Sequence, residues 1–351
     1  MSLTTALVIA AAVALLALAL HGVWQARRAG PRRADPVATS PQQRVDPTLG
    51  TTTFADTTQD APAADADVPR GPTASPRRGA RIDALIDAIA PLAIDAPLSG
   101  EHVLAHLPSS RRAGSKPLHI EGLSADSGEW EPIALGQRYS ELQAGVQLAN
   151  RSGALNEIEY SEFVQKVQAL ADAIGALPDF PDMLDVVARA RELDAFASPN
   201  DANLTALLRA NTVAWSVGYI QQCAARQHFV PGTLPGRLVL PGGDDAAPPQ
   251  LVLSFDAQAA LAEDPGQAAV RQLTLALDVA QTPESAEPFA AWQQAIRALA
   301  EDMDATAVDD QGQPITLHHF AAIAAELKAL YRTLEARDIA AGSPTARRLF
   351  S

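Results

Sequence analysis

His102 and His106 stand four residues apart, a spacing that sets two imidazoles on one face of a helix. A zinc site needs a third ligand, and a metalloprotease helix reads His-Glu-x-x-His. Here Glu101 precedes the pair instead, so the expectation is exposed helical histidines. His318 and His319 follow Thr316 at a predicted helix start, where neighbouring side chains diverge and capping or a solvated surface is expected. Asp309 and Asp310 read as turn residues, although paired carboxylates in a cleft could do acid/base work. Glu284, Glu287, Asp182 and Asp185 read as solvated helix charges. Cys223 falls in an amphipathic stretch and reads as a buried thiol. The chain has no Gly-x-x-x-x-Gly-Lys-Ser/Thr loop, no Gly-x-Gly-x-x-Gly fingerprint and no Gly-x-Ser-x-Gly elbow. No residue is proposed as catalytic, and no cofactor or metal is expected.

Composition narrows the partners. The 351 residues carry a formal charge of −14, which argues against nucleic acid, since phosphate binding needs a basic surface. The single cysteine cannot form an internal disulfide and fits a reducing compartment. The length allows two domains plus unstructured segments.

The elements that would position any site begin after Arg81. "PQLVLSFD" alternates, with Leu251, Leu253 and Phe255 opposing Val252 and Ser254. "RQLTLALDV" does the same, with Leu273, Leu275, Leu277 and Val279 opposing Thr274, Ala276 and Asp278. Thr282, followed by Pro283, is expected to cap a helix striped by Phe289, Trp292, Ile296, Leu299 and Met303. "ATAVDDQGQPIT" reads as a hairpin, and Thr316 as the cap of a last helix carrying Phe320, Ile323, Leu327, Leu330, Tyr331 and Leu334. With a strand at "NLTALLRAN", a helix at "VAWSVGYIQQCAARQ" and a strand at "GRLVLPG", the order is β-α-β-β-β-α-β-β-α from about 203 to 340. The expected class is α+β, an antiparallel sheet with helices on one face.

Residues 81–200 echo this plan. The stretch from 142 aligns with that from 271 without a gap, at a constant offset of 129. Phe163, Val167, Leu170 and Ile174 then fall on Trp292, Ile296, Leu299 and Met303. Two related modules are expected, 81–200 and 201–340, with 341–351 as a tail.

Ahead of them, Leu3 to Trp24 contains no Asp, Glu, Lys or Arg and is long enough to cross a bilayer. Ala17-Leu18-Ala19 resembles a signal-peptidase site, but "MSLTT" lacks the positive start of a signal peptide. Arg27, Arg28, Arg32 and Arg33 follow the run, and Trp24 stands at its interface. The positive-inside rule places the bulk of the chain in the cytoplasm. The expectation is an uncleaved anchor over 1–25, then a Pro/Ala/Thr-rich disordered linker over 26–80 that spans roughly 40 Å.

The run ending "HGVWQARR", the Pro-rich linker and "FAAWQQAIRALAEDMDATAVDDQGQPITLHHFAAIAAELKAL" together resemble the ZipA family of bacterial cell-division proteins. The resemblance covers the anchor, the linker type and about 203–335. It implies a single-pass inner-membrane protein, N-terminus periplasmic, whose C-terminal domain binds the tail of FtsZ during septum assembly. The partner peptide would lie in a shallow apolar groove on the open sheet face. The matching positions here are Val252, Ser254, Thr274, Ala276 and Asp278, smaller and more polar than the Met and Phe expected of such a groove. The alternatives are an exported or anchored α+β binding module of other specificity, and an acid/base enzyme using Asp309 and Asp310.

Overall fold

The computed structural model describes residues 81–243, 247–262, 264 and 268–351. The expected anchor and linker lie outside them, as do Trp24, Arg27, Arg28, Arg32 and Arg33. Among the described residues no helix is long and apolar enough to cross a membrane.

The fold is α+β, with helices packed on antiparallel sheets. The first half contributes β1 (Asp87–Ala93), β2 (Leu98–Ser99), α1 (Gly100–His106), β3 (Arg112–Ala113), β4 (Lys116–Ser124), β5 (Trp130–Pro132) and β6 (Arg138–Gln147). A small hairpin, β7 (Ala149–Asn150) and β8 (Gly153–Ala154), leads to α2 (Glu157–Ile174), β9 (Leu177–Pro178) and α3 (Met183–Asn200). The main strands run in the order β3-β4-β6-β1-β9. The second half contributes β10 (Asn203–Ala210), α4 (Val217–Arg226), β11 (Val230–Pro231), β12 (Arg237–Leu240), β13 (Leu251–Ser254) and α5 (Ala257–Ala260). It continues with β14 (Gln272–Asp278), α6 (Pro288–Met303), β15 (Ala305–Val308), α7 (Leu317–Glu335) and α8 (Pro344–Leu349). This sheet runs β11-β12-β13-β14-β10-β15. In each sheet the first main strand lies between the strand that precedes a long helix and the strand that follows it.

Local chemistry sets the element ends. Asn156 Oδ1 accepts from the Ile158 and Glu159 amides, each at 3.0 Å, and Glu159 reaches back to the Asn156 amide, a capping box for α2. Asp182 caps α3 by accepting from the Leu184 amide at 2.8 Å, so it is an N-cap rather than an ordinary solvated helix charge. Thr282 does not cap α6. Its hydroxyl donates to the Asp278 carbonyl at 2.9 Å, a 3-10 turn occupies Glu284–Ala286, and Pro288 takes the first helical position after Glu287 in the left-handed region. At the other end, Trp215 Nε1 donates to the Met303 carbonyl at 2.8 Å and the Tyr219 hydroxyl to that of Asp302 at 2.7 Å. Those carbonyls would otherwise be orphaned at the helix end.

The expected hairpin after α6 is reduced. β15 pairs with β10, but the return piece is a single bridge between Val308 and Pro314, held by the Asp309 amide donating to the Gln313 carbonyl at 2.9 Å and the Ile315 amide to the Ala307 carbonyl at 3.0 Å, before Thr316 opens α7. Asp309 Oδ1 accepts from the Gln311 and Gln313 amides at 3.0 and 2.7 Å, the turn chemistry expected of it.

Each sheet has its own core. Leu251, Leu253, Leu273, Leu275 and Leu277 pack with Trp292, Ile296, Leu299 and Met303, and with Phe320, Leu327 and Tyr331 of α7. In the first core, Ile86, Ala88, Ala90 and Leu92 meet Phe163, Val167, Leu170 and Ile174. Residues 341–351, read as a tail, return to this first core, where Ala346, Leu349 and Phe350 are buried beside Leu334, Ile339 and Ala280.

Phe350 is 1% exposed, so Phe350→Ala should destabilise the chain by about 3–5 kcal/mol in equilibrium denaturant unfolding. Leu177→Ala, at a side chain 75% exposed, should change it by no more than about 0.5 kcal/mol.

Candidate functional site

The face of the second sheet opposite its helices is the candidate site. Strands β13 and β14 bury every other residue, leaving Val252, Ser254, Thr274, Ala276 and Asp278 half-buried on the outer face. Their register sets Val252 opposite Ala276 and Ser254 opposite Thr274. On β12, Arg237 lies opposite Ser254 and Val239 opposite Val252, while β10 brings Asn203 opposite Asp278. A groove of about 500 Å³ crosses this surface, lined by Val252, Ser254, Ala276 and Asp278 together with Arg237 and Pro248. Thr274 shares the face but does not line the groove, and its carbonyl accepts from Ser254 Oγ at 3.5 Å. The structure therefore brings the sequence-predicted residues onto one surface. It adds Arg237 and Val239, which alternation in "GRLVLPG" places on one side of a strand but whose partners only strand pairing reveals.

Asp278 is already engaged. Arg151, from the turn between β7 and β8, contacts Asp278 Oδ2 at 2.8 Å and binds Asp201 at 2.6 and 2.8 Å. Burial pushes the Asp278 carboxyl up and Arg151 draws it back, while the two carboxylates hold the guanidinium firmly protonated. This fork ties the two halves of the chain together at the end of the groove.

The other chemistry-bearing residues have structural roles or open surroundings. His106 Nδ1 lies 2.8 Å from the His102 carbonyl on α1, and both rings are exposed. His319 Nδ1 accepts from the Thr316 amide at 3.2 Å, which is capping. Cys223 is buried against α6, its thiol pushed up by burial, with Arg226 donating to Sγ at 3.2 Å. Among the described residues no group of three or more His, Cys, Asp or Glu could hold a metal.

One histidine was not singled out by the sequence. His119 faces outward on β4 at a cavity of about 540 Å³, walled by Arg81, Ile82, Asp83, Thr345 and Arg348. Burial, then the fields of Arg348, Arg81 and Arg111, lower its pKa from 6.5 to about 4. Those neighbours come from both ends of the described chain, so no local pattern could have announced the site.

No protein-family model matches this chain, and no curated protein is similar to it.

His119 is neutral in the folded chain at neutral pH and takes up a proton on unfolding below its ordinary pKa. Its contribution to stability is complete above pH 6.5 and is lost as pH falls from 6.5 toward about 4. Urea unfolding at pH 7 and pH 5 should show a smaller loss of stability for His119→Gln than for the parent chain.

Proposed function

We propose that this chain is a non-enzymatic inner-membrane tether of bacterial cell division. Its N-terminal apolar run holds it in the bilayer, the bulk lies in the cytoplasm, and the open face of the second sheet binds the FtsZ tail during septum assembly. The observation that carries this reading is that face. It offers a shallow groove with Val252 and Ala276 on its floor and Arg237 at its side, and Val239 stands opposite Val252 on the neighbouring strand. The small floor side chains leave volume that a peptide's own aromatic or aliphatic anchors fill, so the larger side chains of the contact come from the partner. Arg237 places a positive charge beside the groove in a chain of net charge −14, which favours a segment carrying a carboxylate at that side.

The same reading has two related modules, 81–200 and 201–340. Three observations support it. The main strands follow one path in both sheets. The offset of 129 carries the end of α2 at Ile174 onto the end of α6 at Met303, and the left-handed Gly175 onto the left-handed Asp304. Phe163, Val167, Leu170 and Ile174 are buried, and so are their counterparts Trp292, Ile296, Leu299 and Met303.

Calorimetric titration of the full chain with an FtsZ C-terminal peptide should show saturable binding. Ala276→Arg should weaken it at least tenfold, about 1.4 kcal/mol. Absence of heat at high micromolar concentration overturns the reading, and unchanged binding by the variant moves the site off this face. Mass spectrometry of the membrane fraction should recover the chain with residues 1–24 still attached; a mature start after Ala19 would favour export instead.

A further inference from the structure

Helix α1 is pinned along one side and open along the other. Ser99 Oγ accepts from the His102 amide at 3.3 Å, and the Gly100 amide donates to the Gln137 carbonyl at 2.8 Å. A Cβ on Gly100 would stand 1.8 Å from the Ala134 carbonyl oxygen, so only glycine admits this approach. Glu101 Oε1 accepts from the Gly136 amide at 2.6 Å, and Val103 is fully buried in the first core. These contacts fix the turn that carries His102 and His106, and both rings stand exposed on its free side.

The two rings are spaced as a chelate requires. Their centroids are 4.9 Å apart and their planes are tilted by 57°. Two imidazoles on one ion, each with its ring nitrogen about 2.0 Å from the metal, place that metal about 3.2 Å from each ring centre. Ligands at angles between about 90° and 110° then hold the two centroids roughly 4.5–5.2 Å apart. The observed separation falls inside this range with the helix as it stands.

The second observation is the orientation of His106. Its Nδ1 lies 2.8 Å from the His102 carbonyl. A carbonyl only accepts, so in the neutral ring Nδ1 carries the hydrogen and Nε2 the free lone pair. A ring N–H donated to a backbone carbonyl is the outer contact that orients metal-binding histidines. Here the same residue pair supplies both the carbonyl and the second imidazole.

The number of ligands decides the class of metal. Two protein ligands leave the rest of the coordination sphere to water, which is too few for a structural zinc site. Two cis imidazoles completed by oxygen suit the tetragonal N,O geometry of divalent copper and nickel, and copper heads the affinity order.

We infer that His102 and His106 form a two-imidazole chelate for divalent copper on the exposed face of α1, with nickel as a weaker occupant. The site lies in the first half of the chain and is independent of the FtsZ reading, which concerns the second sheet.

The test titrates the purified full chain with copper(II) alone, by calorimetry. The parent should take up one equivalent at least tenfold more tightly than the double variant His102→Ala/His106→Ala. The remaining histidines are common to both forms, so the difference belongs to α1. Each single variant should lose as much affinity as the double, because one imidazole makes no chelate. Electron paramagnetic resonance of the first equivalent should show two coupled nitrogens in the parent. Nickel should fill the same equivalent more weakly, and magnesium should not compete. Both positions are exposed, so the metal-free variants should melt as the parent does by circular dichroism. The inference is overturned if the parent and the double variant bind copper equally, or if either single variant binds as tightly as the parent. A first equivalent coupled to a single nitrogen, or displaced by magnesium, also overturns it.

Discussion

A carboxylate held under a sheet face constrains much of this molecule. Asp87 is 1% exposed at the start of β1, and burial pushes its carboxyl up while Arg348 draws it down. Taking both charges out of water costs several kcal/mol per ion, which only good geometry offsets. Here the guanidinium is bidentate, and the Asp83 amide donates to Asp87 Oδ2 at 2.8 Å. A buried carboxylate deprived of its partner would cost about 3–5 kcal/mol, so the end of the chain has to come back to the beginning of the first sheet. That return explains why Leu334 and Ile339, which follow the second sheet, are buried with the first core.

The same logic recurs where Arg151 forks onto Asp201 and Asp278. Each of the two ion clusters joins residues far apart in the chain, and each fixes the fate of one sheet face. On the first sheet, Gly145, Glu121 and Asp87 receive the chain's own segments. On the second, Arg151 and Asp278 close one end of the groove, while Val252, Ser254 and Ala276 keep a surface that no described segment fills.

What could be read from the sequence was what depends on near neighbours. The alternation in β13 and β14 was legible because one face of each strand is apolar and the period is short. The stripe of α6 was legible for the same reason. Thr282 was misread because its hydroxyl answers to a carbonyl at the end of β14, a tertiary fact. The second strand of the hairpin is cut to a single bridge at Pro314, because the cap of the next helix, Thr316, follows two residues later. The candidate face was legible as far as alternation reaches, through Val252 to Asp278. Arg151 and Arg237 were not, since their places follow from strand pairing and from a turn in the other half. Lys116 could not be anticipated at all: it is fully buried, and its Nζ donates to Asn150 Oδ1 at 2.7 Å and the Gly153 carbonyl at 2.6 Å. A lysine survives such burial only where its donors are matched, and the matching atoms come from a hairpin more than thirty residues on.

The small side chains on the second face bear on how such a surface would work under the proposed tether reading. A floor of Val, Ser and Ala makes few of the large contacts that dominate binding energy, so a single encounter is weak unless the partner brings its own anchors. Confinement to a membrane changes that balance. On that reading, the linker expected from the sequence would let the face range over an r.m.s. distance of roughly 40 Å from its anchor, and a partner assembled at the same surface would be met repeatedly at high effective concentration. A polymer that displays many tails would be held by many weak contacts, each free to release. Large apolar side chains on the floor would tighten each contact and slow that exchange, and they would also leave an exposed apolar patch whenever the face is empty. A small, half-polar floor avoids the second problem, and confinement offsets the weakness of the first.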